Sequence, residues 1–219
     1  MTKKINSIET DDFMKKISEK TLTIKDKVSG YDKSIISKTF MHPKTGIIEN
    51  FFIEKARDSV QVFALTEDNK VILVRQFRPS TEQIVIELPG GGLEKGEDKD
   101  EDSIVEAAKR ELLEETAHTG TQLTYLCKTP YGPYSTGFRH SVIATGCYQA
   151  SKSLDLDDNE DLKPFLMELE TFYTTLVQTA TVRGHFFPHM ASNFSLLMLR
   201  RFSLLTTSSI LAPGLPISH

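Results

Sequence analysis

Between residues 87 and 117 the chain sets a glycine-rich loop, Glu87-Leu-Pro-Gly-Gly-Gly-Leu-Glu-Lys-Gly-Glu97, then an acidic stretch, then Arg110-Glu-Leu-Leu-Glu-Glu-Thr116. Carboxylates beside bare glycine backbone are the raw material of divalent-metal and pyrophosphate chemistry. Their oxygens suit a hard cation such as Mg²⁺, and glycine lets a peptide group approach a ligand unobstructed. Glu111, Glu114 and Glu115 stand three and four residues apart, which makes them neighbours on a helix. Three like charges repel one another there, and a cation would relieve the repulsion. Arg110 can orient one carboxylate through a bidentate pair. A Glu-rich helical face by itself is more often merely solvated, and a Gly triplet by itself is usually a turn. Their proximity in sequence, which lets loop and helix converge on one ion, favours the chemical reading.

A helix must carry those carboxylates. Ser103 to Thr116 has no Gly or Pro and is rich in Ala, Leu, Glu and Lys, all good helix formers. Asp102 or Ser103 can cap it, with Glu106 completing a capping box from Ser103. Val105, Ala108 and Leu112 form the stripe that would face a core. Upstream, 60–65 and 71–77 read as strands joined by the turn 67–70, and 83–88 as a third strand leading into the glycine loop. Downstream, 122–128 and 138–148 are strand candidates, 166–169 a short strand and 171–179 a helix. Met190, Phe194, Leu197 and Met198 make an apolar stripe on a last helix ending near Phe202. Near the N-terminus, residues 11–18 suggest a short helix, and 22–28, 34–40 and 47–53 are strand-like. This mixture indicates an α/β fold: an α/β/α sandwich with a mixed sheet, plus a small antiparallel β extension. The expected divisions are 1–57, 58–205 and a loosely ordered tail, 206–219.

The composition is that of an ordinary soluble globular protein: 219 residues, 39% hydrophobic and 26% charged, with a net charge of −4. That charge argues weakly against nonspecific nucleic-acid binding but does not exclude a nucleotide. No apolar run approaches bilayer length, and the N-terminus lacks the apolar core of a secretory signal, so a cytoplasmic protein is expected. Cys127 and Cys147 read as reduced thiols.

The spacing in 91–117 resembles the signature of the Nudix hydrolase family: Gly, five residues, Glu, seven residues, Arg-Glu, an apolar residue, any residue, Glu-Glu, any residue, Gly. Gly91, Glu97, Arg110, Glu111, Leu112, Glu114 and Glu115 match it. Twelve residues rather than seven separate Glu97 from Arg110, and Ala117 stands where the family has its closing Gly. The acidic insert 98–102 is expected to bulge into water. Gly at the helix end would permit a left-handed conformation, a function that Gly120 could assume instead.

The resemblance implies a Nudix-type sandwich and hydrolysis of a nucleoside diphosphate linked to a group X. It implies Glu111 and Glu115 as Mg²⁺ ligands (Mn²⁺ as the substitute), with the carbonyl of Gly90, and Glu114 close to them in the catalytic group. Glu97 and Gly91 support the site, and Arg110 ties helix to loop. Within the family, the β extension and the segment 75–79 resemble the ADP-ribose and nucleotide-sugar pyrophosphatase branch. There the extension commonly forms a homodimer whose partner helps complete the substrate site. In that branch a downstream acidic loop supplies the general base, which points to Glu160, with Asp157 and Asp158 as substitutes. Arg78 matches a phosphate-binding Arg, Arg57 is a candidate for contacting the nucleotide or for a surface salt bridge, and Arg139 for facing the site or solvent. Tyr131 and Tyr134 offer rings for stacking or packing. His185 and His189 lack the setting of a zinc helix and read as structural. The substrate implied is ADP-ribose or a related nucleoside diphosphate sugar, with no stable nucleic-acid or membrane partner. A dinucleoside polyphosphate, a nicotinamide dinucleotide or capped RNA is the alternative within the family. A nucleotide-sensing module without turnover is the alternative outside catalysis.

Overall fold

The computed structural model describes residues 14–24, 33–156 and 161–181. Two units emerge: the chain up to Ser59 together with Cys127–His140, and Val60–Leu126 together with Ser141 onward.

In the second unit, continuous apolar runs make the central strands. Strands β4 (Ser59–Thr66) and β5 (Lys70–Arg78) are buried along Val62–Leu65 and Val71–Val74, as strands covered on both faces must be. Their tight turn is closed by Thr66, whose Oγ1 accepts from the Lys70 N–H at 2.9 Å, and by Asn69 in the left-handed region at φ 60°. The seven-stranded sheet runs β10 (Leu162–Glu168), β5, β4, β9 (Phe138–Gln149), β7 (His118–Thr119). Strand β6 (Gln83–Glu87) pairs with β5, and β8 (Gln122–Pro130) with β9.

Alternation sorts the side chains of β4 between two cores. Val60, Val62 and Ala64 join Ile72, Val142 and Ala144 beneath helix α1 (Glu101–Thr116), which contributes Ile104, Ala107, Ala108 and Leu112. Phe63 and Leu65 join Val71 and Leu73 on the opposite face, capped by Phe172 of helix α2 (Leu169–Thr181). Helices thus cover opposite faces of one sheet, and the α/β/α sandwich expected from the sequence is the observed architecture.

Strand β4 pairs with β5 only near their turn, at Ala64↔Ile72 and Leu65↔Val71. Beyond that, β5 pairs with β6, from Val74↔Glu87 to Arg78↔Gln83. The freed part of β4 takes the loop after β6 instead: the Val62 N–H donates to Pro89 O at 2.8 Å and the Val60 N–H to Gly91 O at 2.9 Å. This splitting of the sheet seats the glycine loop.

The ends of α1 differ from the sequence reading. The helix begins two residues earlier, capped by Asp100, whose side chain accepts from the Ser103 N–H at 2.8 Å while Ser103 Oγ accepts from the Asp100 N–H at 3.1 Å. The insert therefore does not simply bulge into water. It supplies the cap, and Glu101 and Asp102 form the first turn, where negative charge favours the helix dipole. At the other end Ala117 itself takes the left-handed conformation, φ 59°, with its N–H donating to Leu113 O at 2.8 Å. Gly120 does not assume that function, because its φ is not positive. A Cβ there would stand 3.1 Å from the Ala144 Cβ, so close packing accounts for the glycine.

In the first unit, β1 (Lys15–Ile24), β2 (Lys33–Met41) and β3 (Ile48–Lys55) form an antiparallel sheet in that order. The helix expected at 11–18 is replaced, from Lys15 on, by β1, whose ladder with β2 outweighs a local helical pattern that has no core to face. Segment 127–140 is held in this unit by Asp58, which accepts from the Phe138 N–H at 2.9 Å and pairs with His140 Nε2 at 3.1 Å.

Strand β10 extends further toward the N-terminus than 166–169, and Leu169 opens α2. Cys147 is buried and Cys127 half-buried, and both are free thiols; burial pushes each thiol up, Cys147 to about 11. The stripe from Met190, the histidines 185 and 189 and the tail 206–219 lie outside the described residues. Among the described residues no helix is long and apolar enough to cross a membrane.

Candidate active site

Helix α1 lies over the glycine loop with Glu111 and Glu115 turned inward, 8% and 3% exposed. Buried carboxylates need partners, and the loop provides them. The Gly90 N–H donates to Glu115 Oε2 at 2.7 Å. Glu111 packs on Gly91, where a Cβ would stand 2.5 Å from its Oε2. Gly90 is equally constrained: its φ is 151°, and a Cβ would strike the carbonyl of Val60. A side chain at Gly91 would part helix from loop and one at Gly90 would part the loop from β4, so both glycines are required by close approach.

Arg110 fastens the two from outside. Its Nε and Nη2 donate to Glu97 at 3.2 and 3.1 Å, a bidentate pair. Its Nη1 meets Glu114 at 2.8 Å and Glu111 at 3.0 Å. Glu97 also accepts from the Glu94 N–H at 2.6 Å. Burial pushes the Glu97 carboxyl up, but the bonds from Arg110 and Glu94 outweigh it and hold the group below its ordinary value. Burial disfavours the charge on Arg110, yet its three carboxylate partners hold it fully protonated.

The donors suit a hard cation in kind. Glu111 and Glu115 offer carboxylate oxygens. Pro89 O and Gly91 O are both spent on β4, while the carbonyl of Gly90 between them accepts no hydrogen bond among the described residues. Glu114 is drawn to Arg110, and among the described residues no three His, Cys, Asp or Glu side chains form a metal-holding group. The set that fits is therefore two carboxylates and one peptide carbonyl, an all-oxygen set appropriate to Mg²⁺ or Mn²⁺ rather than to a softer metal.

Arg78 ends β5. Residues of one parity share a face of a strand, so Arg78 and Gln76 lie on the face that Ile72 presents to the core under α1. Arg78 Nε donates to Glu87 Oε2 at 2.8 Å, its Nη2 forms an ion pair with the same oxygen at 2.8 Å, and Gln76 Nε2 donates to it at 2.9 Å. Sequence reasoning missed both Glu87 and Gln76. The signal was present in the parity of the hairpin, where Glu87 faces Val74 across β5 and β6 and so shares a face with Gln76 and Arg78.

The remaining candidates belong to the first unit or lie outside the described residues. Arg57 belongs to the first unit, as do Tyr131, Tyr134 and Arg139; within it the Arg139 guanidinium lies 5.3 Å from the centroid of Tyr131. Glu160, Asp157 and Asp158 lie outside the described residues. Both flanks of their loop are described: the Asp155 N–H donates to Glu114 O at 3.0 Å, and Leu162 pairs with Gln76.

The NUDIX domain family matches residues 55–189. An ADP-ribose pyrophosphatase of Bacillus subtilis is 30% identical over 158 residues, 72% of this chain and 82% of that protein. A methanol dehydrogenase activator of Bacillus methanolicus is 34% identical over 103 residues, 47% of this chain and 53% of that protein. A crystal structure of an ADP compounds hydrolase superposes with a TM-score of 0.69 at 21% identity, covering 89% of this chain and 96% of the other. The family match takes in the glycine loop, the Arg110–Glu115 run and the split sheet that joins them, and the chain accordingly belongs to the Nudix hydrolase family.

Proposed function

We propose that this hydrolase splits the pyrophosphate bridge of ADP-ribose or a related nucleoside diphosphate sugar, in the presence of Mg²⁺ or Mn²⁺, giving two monophosphates. The observation that carries the reading is the seating of buried Glu111 and Glu115 on Gly90 and Gly91. Similarity over 72% of the chain to an ADP-ribose pyrophosphatase supports the choice of substrate.

Glu111, Glu115 and the Gly90 carbonyl would hold the metal, which supplies neutralisation of phosphate oxygens and an acidified attacking water. Arg110 and Glu97 keep helix and loop in register, and Glu114 braces Arg110. Arg78 binds a phosphate and Arg57 contacts the nucleotide. Glu160 takes the proton of the attacking water as its oxygen bonds to one phosphorus, while the bridging oxygen leaves on the other phosphate. The anchoring of the acidic loop to α1 at one flank and to β5 at the other supports that role.

The three-stranded sheet presents Leu22, Ile24, Ile35, Ile48 and Phe52 on one face, all exposed. An apolar face of this kind supports pairing with a second copy of the chain, which gel filtration tests. Free thiols and ordinary soluble composition fit the cytoplasm.

The deciding experiment incubates the protein and Mg²⁺ with ADP-ribose, a dinucleoside polyphosphate, NADH and capped RNA, and follows products by ³¹P NMR. AMP and ribose 5-phosphate from ADP-ribose are expected, with little turnover of the others. Preference for another compound would replace the substrate. Binding with no turnover of any would make the chain a nucleotide-sensing module.

A further inference from the structure

We propose that Glu87 is the positioning residue for Arg78 and, through it, sets affinity for the pyrophosphate of the substrate; this rests on the phosphate-binding reading of Arg78. A single oxygen, Glu87 Oε2, accepts from Arg78 Nε at 2.8 Å and Gln76 Nε2 at 2.9 Å, and forms an ion pair with Arg78 Nη2 at 2.8 Å. The Glu87 side chain is 13% exposed and that of Arg78 41%. The anchor is thus enclosed and the arginine it holds is open to a ligand.

A guanidinium carries five N–H donors in a rigid plane. Glu87 uses the Nε–Nη2 edge, and Nη1 makes no hydrogen bond among the described residues. The hydrogen bond from Nε and the ion-pair contact of Nη2, both to one carboxylate oxygen, hold the guanidinium in place. The long side chain is then ordered before substrate arrives, and the rotamer entropy of ordering it is not charged to binding. Gln76 pins the carboxylate in turn, so Glu87 does not follow Arg78 if the arginine moves. Placement strengthens the argument. Glu87 sits three residues before Gly90, with buried Pro89 between them bonded to Val62 on β4. One strand end therefore aligns both the Gly90 backbone and the substrate-side arginine, which keeps their separation constant.

The test compares Glu87→Ala, Glu87→Gln, Arg78→Ala and the double Ala variant in steady-state hydrolysis of ADP-ribose with Mg²⁺. Glu87→Ala is expected to raise KM about tenfold with kcat within about threefold. Glu87→Gln, which keeps an acceptor oxygen, should fall between it and wild type. The double variant should be no worse than Arg78→Ala, since Glu87 acts only through Arg78. Multiplied effects in the double variant, or an unchanged KM in Glu87→Ala beside a raised one in Arg78→Ala, would overturn the proposal. Arg78→Ala with wild-type KM would remove the phosphate role and the affinity claim with it. Positioning itself is read without turnover from the Arg78 Nε–H signal in ¹⁵N NMR, assigned by its absence in Arg78→Lys. Slow solvent exchange of that signal should persist in Glu87→Gln and vanish in Glu87→Ala, and its persistence in Glu87→Ala overturns positioning.

Discussion

The seven-stranded and three-stranded sheets are both built from paired strands and come to opposite ends. Strand β4 is buried from Val62 to Leu65, while every residue of β1 is exposed. Both pair with a neighbouring strand, so pairing alone does not distinguish them. What differs is cover. The large sheet has a helix on each face and buries a core beneath each, whereas among the described residues of its own unit no element covers the apolar face of β1–β3. Hydrogen bonds define a strand's register, and burial makes that register costly to change. The carboxylate site sits where cover is greatest, and there Glu111 and Glu115 can be held against bare backbone.

The strongest challenge to that contrast is at the site. Glu115→Gln should lower turnover at least about a hundredfold with the fold retained, because a charged ligand is lost while its shape remains. Steady-state rates in Mg²⁺ beside circular dichroism check it, and undiminished activity would refute the metal role. Leu112→Ala should cost about 2–5 kcal/mol in urea unfolding, as a fully buried side chain leaves a cavity between α1 and the sheet. A cost under about 1 kcal/mol would mean the core is not tightly packed.

The latch between Arg110 and Glu97 sharpens the contrast through pH. The folded protein holds Glu97 below its ordinary value near 4.5, so the unfolded chain binds that proton more readily. The stabilisation is fully present above about pH 4.5 and is lost as pH falls through the lowered folded value. Unfolding curves at pH 6 and pH 3.5 should converge between wild type and Glu97→Gln at the lower pH; a constant gap would contradict it. Ala117→Gly should stabilise by about 0.5–1 kcal/mol, since glycine adopts φ 59° without strain. A destabilised variant would show that packing of the Ala117 methyl outweighs the backbone. Leu22→Ser, in the open sheet, should shift monomer stability by no more than about 0.5 kcal/mol. A larger loss, or one that depends on protein concentration, would reveal that a second copy covers this face.

Legibility followed the same contrast. The central strands and α1 were readable because burial imposes a period on their residues, and the two-sided apolar runs of β4 and β5 left little alternative. The start of β1 was not, because an exposed edge strand imposes no pattern: residues 11–18 have a composition a helix accepts, and only pairing with β2 decides the matter. Asp100 was missed as a cap because Ser103, followed by Glu106, offers a good local capping box of its own. Gly120 was the left-handed candidate because propensity disfavours that region for alanine, yet the buried helix end places Ala117 there. The bonds of Arg78 to Glu87 needed the register of β5 and β6, which no short motif carries.

By itself, the order of residues determined which groups are available for chemistry and the period on which they repeat. Glycines beside an acidic helix and three carboxylates at helical spacing are properties of a short stretch of chain, governed by local geometry. Tertiary structure alone decided which of those groups meet. Strand β4 parts from β5 on the N-terminal side of Ala64, the loop after Glu87 fills the gap, and Glu115 thereby reaches the Gly90 N–H across twenty-five positions of sequence. Such a meeting depends on how a twisted sheet divides and on what covers it, and neither is encoded in any single segment.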